Sequence, residues 1–172
     1  TSSIFPIILS LTKKNLINKV LVCEESAKKL SNIPNLEIYC VKNLDDAINF
    51  IKSNKKEEFL FKKNPLEYKV LKINEIEYYF DTNYIDDFQD VIGQDIAKNA
   101  AVISSAGCHN IIFEGSPGCG KSMISKRLKY IMPPMNLEEI LEKAKLQSLD
   151  YKEVDFLPIR AFRSPHHSST KS

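Results

Sequence analysis

One octapeptide constrains this chain more than anything else in it: Gly115-Ser116-Pro117-Gly118-Cys119-Gly120-Lys121-Ser122. The spacing G-x-x-x-x-G-K-[ST] is that of a loop that cradles phosphate. Successive backbone N–H groups turn inward around an anion, and the helix that follows adds its positive end. Lys121 is a compact cation able to reach phosphate oxygens, and Ser122 offers a hydroxyl to Mg²⁺. Bulky side chains would block the backbone's approach, and the positions between the glycines are accordingly small: Ser116, Pro117 and Cys119. All five glycines of the 172 residues lie between Gly93 and Gly120. Glycine is needed where the backbone takes positive φ or comes close to a ligand, so that demand is concentrated around one site. The expected cofactors are ATP and Mg²⁺. All eight residues are candidate binding residues, with Lys121 the catalytic cation and Ser122 the metal ligand.

The flanking sequence suits such a loop. Residues 110–114 (Asn-Ile-Ile-Phe-Glu) form a short apolar run expected to be a buried parallel strand. From Lys121 an amphipathic helix is expected, with Ile124, Leu128 and Ile131 inward and Pro133-Pro134 ending it. Before the run, residues 94–106 read as a helix with Ile96, Ala100 and Ile103 on its inner face, closed by Gly107. Beyond the prolines, Asn136 is placed to cap a helix striped by Leu137, Ile140, Leu141 and Ala144. Hydrolysis also needs an acid to hold Mg²⁺ and a group to orient water. No apolar strand ending in paired acids follows Ser122. Tyr78-Tyr79-Phe80-Asp81 lies upstream and reads as an ordinary strand end, and Val154-Asp155-Phe156-Leu157 is broken by charge and by Pro158. Residues 1–172 are therefore expected to bind ATP weakly and to turn it over negligibly.

The first half reads as alternating strands and helices: residues 20–23, then a helix over 24–30, a strand over 36–41, and a helix with Leu44, Ala47, Ile48 and Ile51 on one face. Residues 53–65 are polar except for Phe59-Leu60-Phe61, a cluster suited to tacking the segment to a surface. Residues 66–80 suggest two strands turning at Asn74-Glu75. Hydrophobic residues make up 43% of the chain and charged residues 27%, with a net charge of +2. No basic tract points to nucleic acid on composition alone, no 18-residue apolar run suggests a membrane span, and no leader is evident. The chain does not begin with methionine and is expected to be a piece of a longer protein. Cys23, Cys40, Cys108 and Cys119 form no C-x-x-C pair and match no zinc spacing, so free, buried thiols in a reducing cytoplasm are expected. For Cys119 a redox switch stands beside the plainer reading of a small residue filling its slot.

Several segments together resemble one family. Asp87-Phe88-Gln89-Asp90-Val91-Ile92-Gly93-Gln94 looks like the opening of an AAA+ module. Ala97-Lys98, Ala106-Gly107, His109-Asn110 and the stretch from Arg127-Leu128 to Pro133-Pro134 are similar to the magnesium-chelatase-like AAA+ proteins. Phe162-Arg163-Ser164-Pro165-His166-His167-Ser168 resembles the FR-x-PHHS segment of their competence-linked ComM (YifB) branch. Residues 7–51 resemble the end of that branch's N-terminal domain, of S5/Lon-protease-like fold. The resemblance implies an α/β chain of three parts. Residues 1–53 would end the S5/Lon-like domain, 54–85 would link, and 86–172 would begin an AAA+ P-loop domain with a truncated parallel sheet. It implies that Ile92 and Gly93 back the adenine. It also implies a cytoplasmic ATPase forming a homo-oligomeric, hexameric ring, acting on DNA by branch migration, with no membrane role. Cys108 departs from the family's usual glycine, and Cys119 and Ser122 from its usual threonines. His166-His167 as metal ligands, and Arg163 as a contact to DNA, phosphate or a neighbouring subunit, stand beside plain structural roles. Two other functions remain open: a chelatase-type ATPase with a non-DNA client, and a nucleotide-binding module without hydrolysis.

Overall fold

The computed structural model describes residues 4–53, 55–63, 66–84, 86–150 and 154–162. The chain divides into two compact units, Thr1–Glu67 with Glu138–Phe156, and Tyr68–Leu137 with Leu157–Ser172.

In the first unit β1 (Lys19–Cys23) and β2 (Glu37–Val41) pair in parallel, Val20 opposite Ile38 and Val22 opposite Cys40. A parallel pair cannot be joined by a tight turn, and α2 (Glu24–Leu30) supplies the crossover. Side chains alternate across a strand, so Cys23 and Cys40 lie on opposite faces and cannot form a disulfide; all four thiols are free, but none is buried as expected, Cys23 and Cys108 being exposed and Cys40 and Cys119 half-buried. α1 (Ile4–Lys13) packs on α2, and Phe5, Leu9, Ala27, Leu30, Ile33 and Ile38 are buried. α6 (Leu137–Leu149) buries Ile140, Leu141 and Ala144 as its stripe predicts. Lys13 Nζ donates to Glu138 at 3.2 Å and Glu142 at 2.6 Å, joining α1 to α6. α3 (Leu44–Lys52) is capped by the Asn43 side chain, which accepts from the Asp46 N–H at 2.8 Å. Its apolar face stays outside, with Leu44 75% and Ile51 74% exposed. Phe50, on another side of the helix, packs instead on Tyr39 and Phe59. The Phe59-Leu60-Phe61 cluster does tack its segment down: Leu60 bridges Tyr39, and the Phe61 N–H donates to the Ile38 carbonyl at 2.8 Å.

The second unit holds an antiparallel sheet in the order β3 (Lys69–Ile73), β4 (Ile76–Phe80), β5 (Met135–Asn136). Asn74 and Glu75 turn the hairpin with φ of 47° and 66°, both left-handed as a two-residue turn between twisted strands requires. Beside the sheet in sequence lie a 3-10 turn (Phe88–Asp90), α4 (Asp95–Ala106) and α5 (Lys121–Ile131). Val91, Ala101 and Ile124 form a buried cluster, with Phe88, Ala97, Phe113, Leu128 and Ile131 packed around it. The inward face of α5 is therefore the expected one.

Two expectations fail here. Residues 110–114 form no strand and pair with none among the described residues, and Ile112 is 92% exposed. A buried parallel strand needs partners at its edges, and the described residues of this unit supply none. The chain's parallel pairing is β1 with β2 instead. α4 also presents a different face. Ala101, Ser104 and Ser105 point inward, while Ile96 and Ile103 are 89% and 69% exposed. Only small side chains admit α5 at close range, so packing overrides the hydrophobic pattern.

Truncating Ile124 removes a side chain that is 2% exposed. Ile124→Ala is expected to cost about 2–4 kcal/mol of unfolding free energy in urea denaturation, and Ile103→Ala less than about 0.5 kcal/mol. Equal losses at the two positions would place the core elsewhere.

Candidate functional site

The Gly115–Ser122 loop follows residues 110–114 and enters α5. Gly118 and Gly120 take φ of 82° and 87°, and Gly120 is the N-cap of α5. A β-carbon there would force a left-handed conformation that costs L-residues about 1–2 kcal/mol. At Gly115 an added Cβ would come within 3.1 Å of Cys119 Sγ, so the loop's two ends are closely apposed. Lys121 curls back over the loop. Its Nζ donates to the carbonyls of Gly115 and Ser116, both at 2.7 Å, and lies 3.4 Å from Cys119 Sγ. Ser116, Pro117, Gly118 and Ser122 are exposed. The first-turn N–H groups of a helix have no intrahelical acceptor, so the start of α5 presents donors to solvent beside the Lys121 ammonium. Donors, cation and hydroxyl of these kinds fit a polyphosphate with its magnesium ion. Cys119 Sγ lies against the lysine among small residues, which suits a slot filler.

The segment 86–94 is fastened to the same helix. Asp87 begins the 3-10 turn with a reciprocal cap: its Oδ1 accepts the Gln89 N–H at 3.0 Å, and Asp90 Oδ2 accepts the Asp87 N–H at 2.9 Å. Arg127 of α5 donates through Nε to the Asp87 carbonyl at 3.0 Å. One terminal nitrogen reaches Asp86 Oδ1 at 3.1 Å and Asp90 Oδ2 at 3.3 Å. The Asp87 N–H first, and Arg127 second, hold the Asp90 carboxyl below its ordinary pKa. Val91 is buried, and its carbonyl accepts from Lys98 Nζ at 3.0 Å. Ile92 is 94% exposed beside Gly93, which has a φ of 68°. Sequence reasoning placed Ile92 and Gly93 but gave Arg127 no role. Three aspartates within five positions ahead of a lone arginine on the loop's helix was the available signal.

Asp81 accepts the Asn83 N–H at 2.9 Å at the end of β4, in keeping with an ordinary strand end. Asp155 holds Lys143 at 2.6 Å and Gln147 at 2.8 Å. Cys108, where the family's glycine is usual, takes φ of 52°, the conformation that favours glycine. A cleft of about 270 Å³ in this unit is lined by Phe80, Tyr84, Tyr130, Pro133 and Arg160 among others, and no loop residue borders it. Among the described residues no cluster of His, Cys, Asp and Glu could hold a metal, and no helix is long and apolar enough to cross a membrane. Phe162 is partly exposed. Arg163, His166, His167 and the rest of that segment lie outside the described residues.

Residues 87–172 match the profile of the family described as "Magnesium chelatase, subunit ChlI". The chain belongs to the magnesium-chelatase family. Within this AAA+ family its similarity runs to the ComM/YifB branch. It is 31% identical over 169 residues to the competence protein ComM of Haemophilus influenzae, covering 97% of this chain and 31% of that protein. It is 44% identical over 86 residues to the uncharacterized protein YifB of Salmonella typhimurium, covering 49% of this chain and 17% of that one. It is also 34% identical over 68 residues to the archaeal Lon protease of Archaeoglobus fulgidus, 40% of this chain and 11% of that protein. The chain thus spans about a third or less of the curated relatives it matches. The Gly115–Ser122 loop lies inside the matched residues.

Because Asp90 titrates below the usual aspartate value, its contribution to stability is full above that value and is lost as pH falls through the lowered one. Urea midpoints measured between pH 6 and 2 should therefore contain a drop below about pH 4 that is missing in Asp90→Ala.

Proposed function

We propose that this chain is the nucleotide-binding part of a ring-forming AAA+ ATPase that takes ATP with Mg²⁺ in the Gly115–Ser122 loop. The observation that carries the reading is Lys121 resting on two loop carbonyls at 2.7 Å, at the head of a helix with open N–H groups. In this reading the ammonium exchanges neutral carbonyl acceptors for phosphate oxygens. A charged acceptor roughly doubles the strength of each hydrogen bond. Gly115, Ser116, Pro117, Gly118, Cys119 and Gly120 offer backbone to the phosphates, and Ser122 gives its hydroxyl to Mg²⁺. Ile92 and Gly93 form the base side, where an apolar side chain 94% exposed is covered by adenine. ATP supplies the phosphoanhydride bond whose cleavage drives the motor; the acid and water-orienting group of that step are expected outside residues 1–172.

The ComM relative's description as a competence protein supports DNA as the client of the whole protein, in the cytoplasm. The exposed Ile96 and Ile103, seven residues apart and so on one face of α4, support contacts with further copies or with the rest of the module. In this organisation residues 1–53 close an S5/Lon-like domain, 54–85 link, and 86–172 open the ATPase domain.

Calorimetric titration of the chain with ATP, with and without Mg²⁺, tests the site. Lys121→Ala is expected to weaken binding by about 2 kcal/mol, roughly thirtyfold. No binding by the unaltered chain, or equal binding by the variant, sinks the reading.

A further inference from the structure

The Arg127 side chain is more elaborately held than a surface ion pair. It sits two turns into the helix that Lys121 and Ser122 begin, with its side chain only 15% exposed. Its three acceptors, the Asp86 and Asp90 carboxylates and the Asp87 carbonyl, all belong to one five-residue turn. Two of those residues are locked to each other by the reciprocal cap. That turn runs directly into Val91, which is pinned in the core and by Lys98, and then into the exposed Ile92 and Gly93. Two elements are thus tied by one guanidinium: the helix that offers the phosphate site, and the turn that presents an apolar surface.

We infer that Arg127 is a positioning residue for the nucleotide base. It fixes the Ile92–Gly93 turn against the helix that carries Lys121 and Ser122, and so sets the distance between base and phosphate subsites. This rests on the nucleotide reading above and adds a residue to it. Arginine suits the task because its planar fork presents several donors in fixed directions, whereas lysine offers a single point charge on a flexible stem. An isolated exposed ion pair contributes little. Here the guanidinium also satisfies a backbone carbonyl, so its geometry is fixed by three acceptors on one rigid turn.

The prediction separates the two ends of the ligand. ATP uses both base and phosphate subsites, and tripolyphosphate uses only the second. Both are titrated with Mg²⁺ into the unaltered chain, Arg127→Ala and Arg127→Lys. Arg127→Ala should bind ATP about tenfold more weakly, the effect of losing about 1.4 kcal/mol, with tripolyphosphate affinity unchanged. Arg127→Lys should keep most of the ATP defect, because charge alone does not rebuild the fork. Parallel losses for both ligands would reveal a structural role only, and an unchanged ATP affinity would exclude any role; either overturns the inference while leaving the phosphate site standing. If neither ligand binds the unaltered chain, the nucleotide reading falls and this inference with it. Asp86→Ala removes one exposed acceptor and serves where Arg127→Ala does not fold. It should produce a smaller selective loss, about two- to threefold, and equal affinities for ATP before and after would count against the proposal.

Discussion

Where α4 meets α5, Ala101 is fully buried beside Ile124, and Val91 closes the third side of the contact. Almost everything else in the second unit follows from this small meeting of side chains. Burying an isoleucine contributes about 1.5–3 kcal/mol, whereas each exposed ion pair contributes less than about 1 kcal/mol. The apolar cluster therefore holds the helices together, and the polar groups around it decide how they are aligned. With its inner face committed to Ile124, Leu128 and Ile131, α5 leaves Lys121 and Ser122 at its open end. With Val91 anchored, its neighbour Ile92 has nowhere to go but outward.

The loop itself is arranged as a competition between acceptors. Lys121 is satisfied by the Gly115 and Ser116 carbonyls, yet these are neutral groups, and a phosphate oxygen would bind the ammonium more strongly. Left-handed backbone at Gly118 and Gly120 turns the chain tightly into α5. Small side chains at Ser116 and Cys119 leave the loop's inner surface open. Cys119 and Ser122, where the family's threonines are usual, alter volume more than charge.

The first unit obeys the same economy with different parts. A single parallel pair, β1 with β2, is covered by α1 and α2, and Lys13 bridges α1 to Glu138 and Glu142 of α6. The Glu142 hydrogen bond is the largest influence holding the Lys13 ammonium above its ordinary pKa, so this tie persists across the neutral range. α3 lies outside that economy, since its apolar stripe is exposed and only Phe50 anchors it.

Local rules carried the sequence a long way. The tight turns at Gly118 and Gly120 were legible because glycine favours their left-handed backbone. The hairpin at Asn74-Glu75, the α5 stripe and the α6 stripe were legible too, since each depends on neighbours within a few positions. The burial of α4 was not, because its Ile96 and Ile103 obey the helical period while a close helix contact demanded Ala101, Ser104 and Ser105. Nor was the state of residues 110–114, whose strand character depends on partners that no local pattern supplies. Arg127 belongs with these. Its acceptors lie forty positions away in sequence, and hydrogen bonds across such a separation exist only once the chain has folded. The sequence by itself determined the turns and helix stripes that rest on near neighbours; the tertiary structure decided which face of α4 is buried and what Arg127 holds, because packing between distant segments selects among faces that local periodicity leaves equivalent.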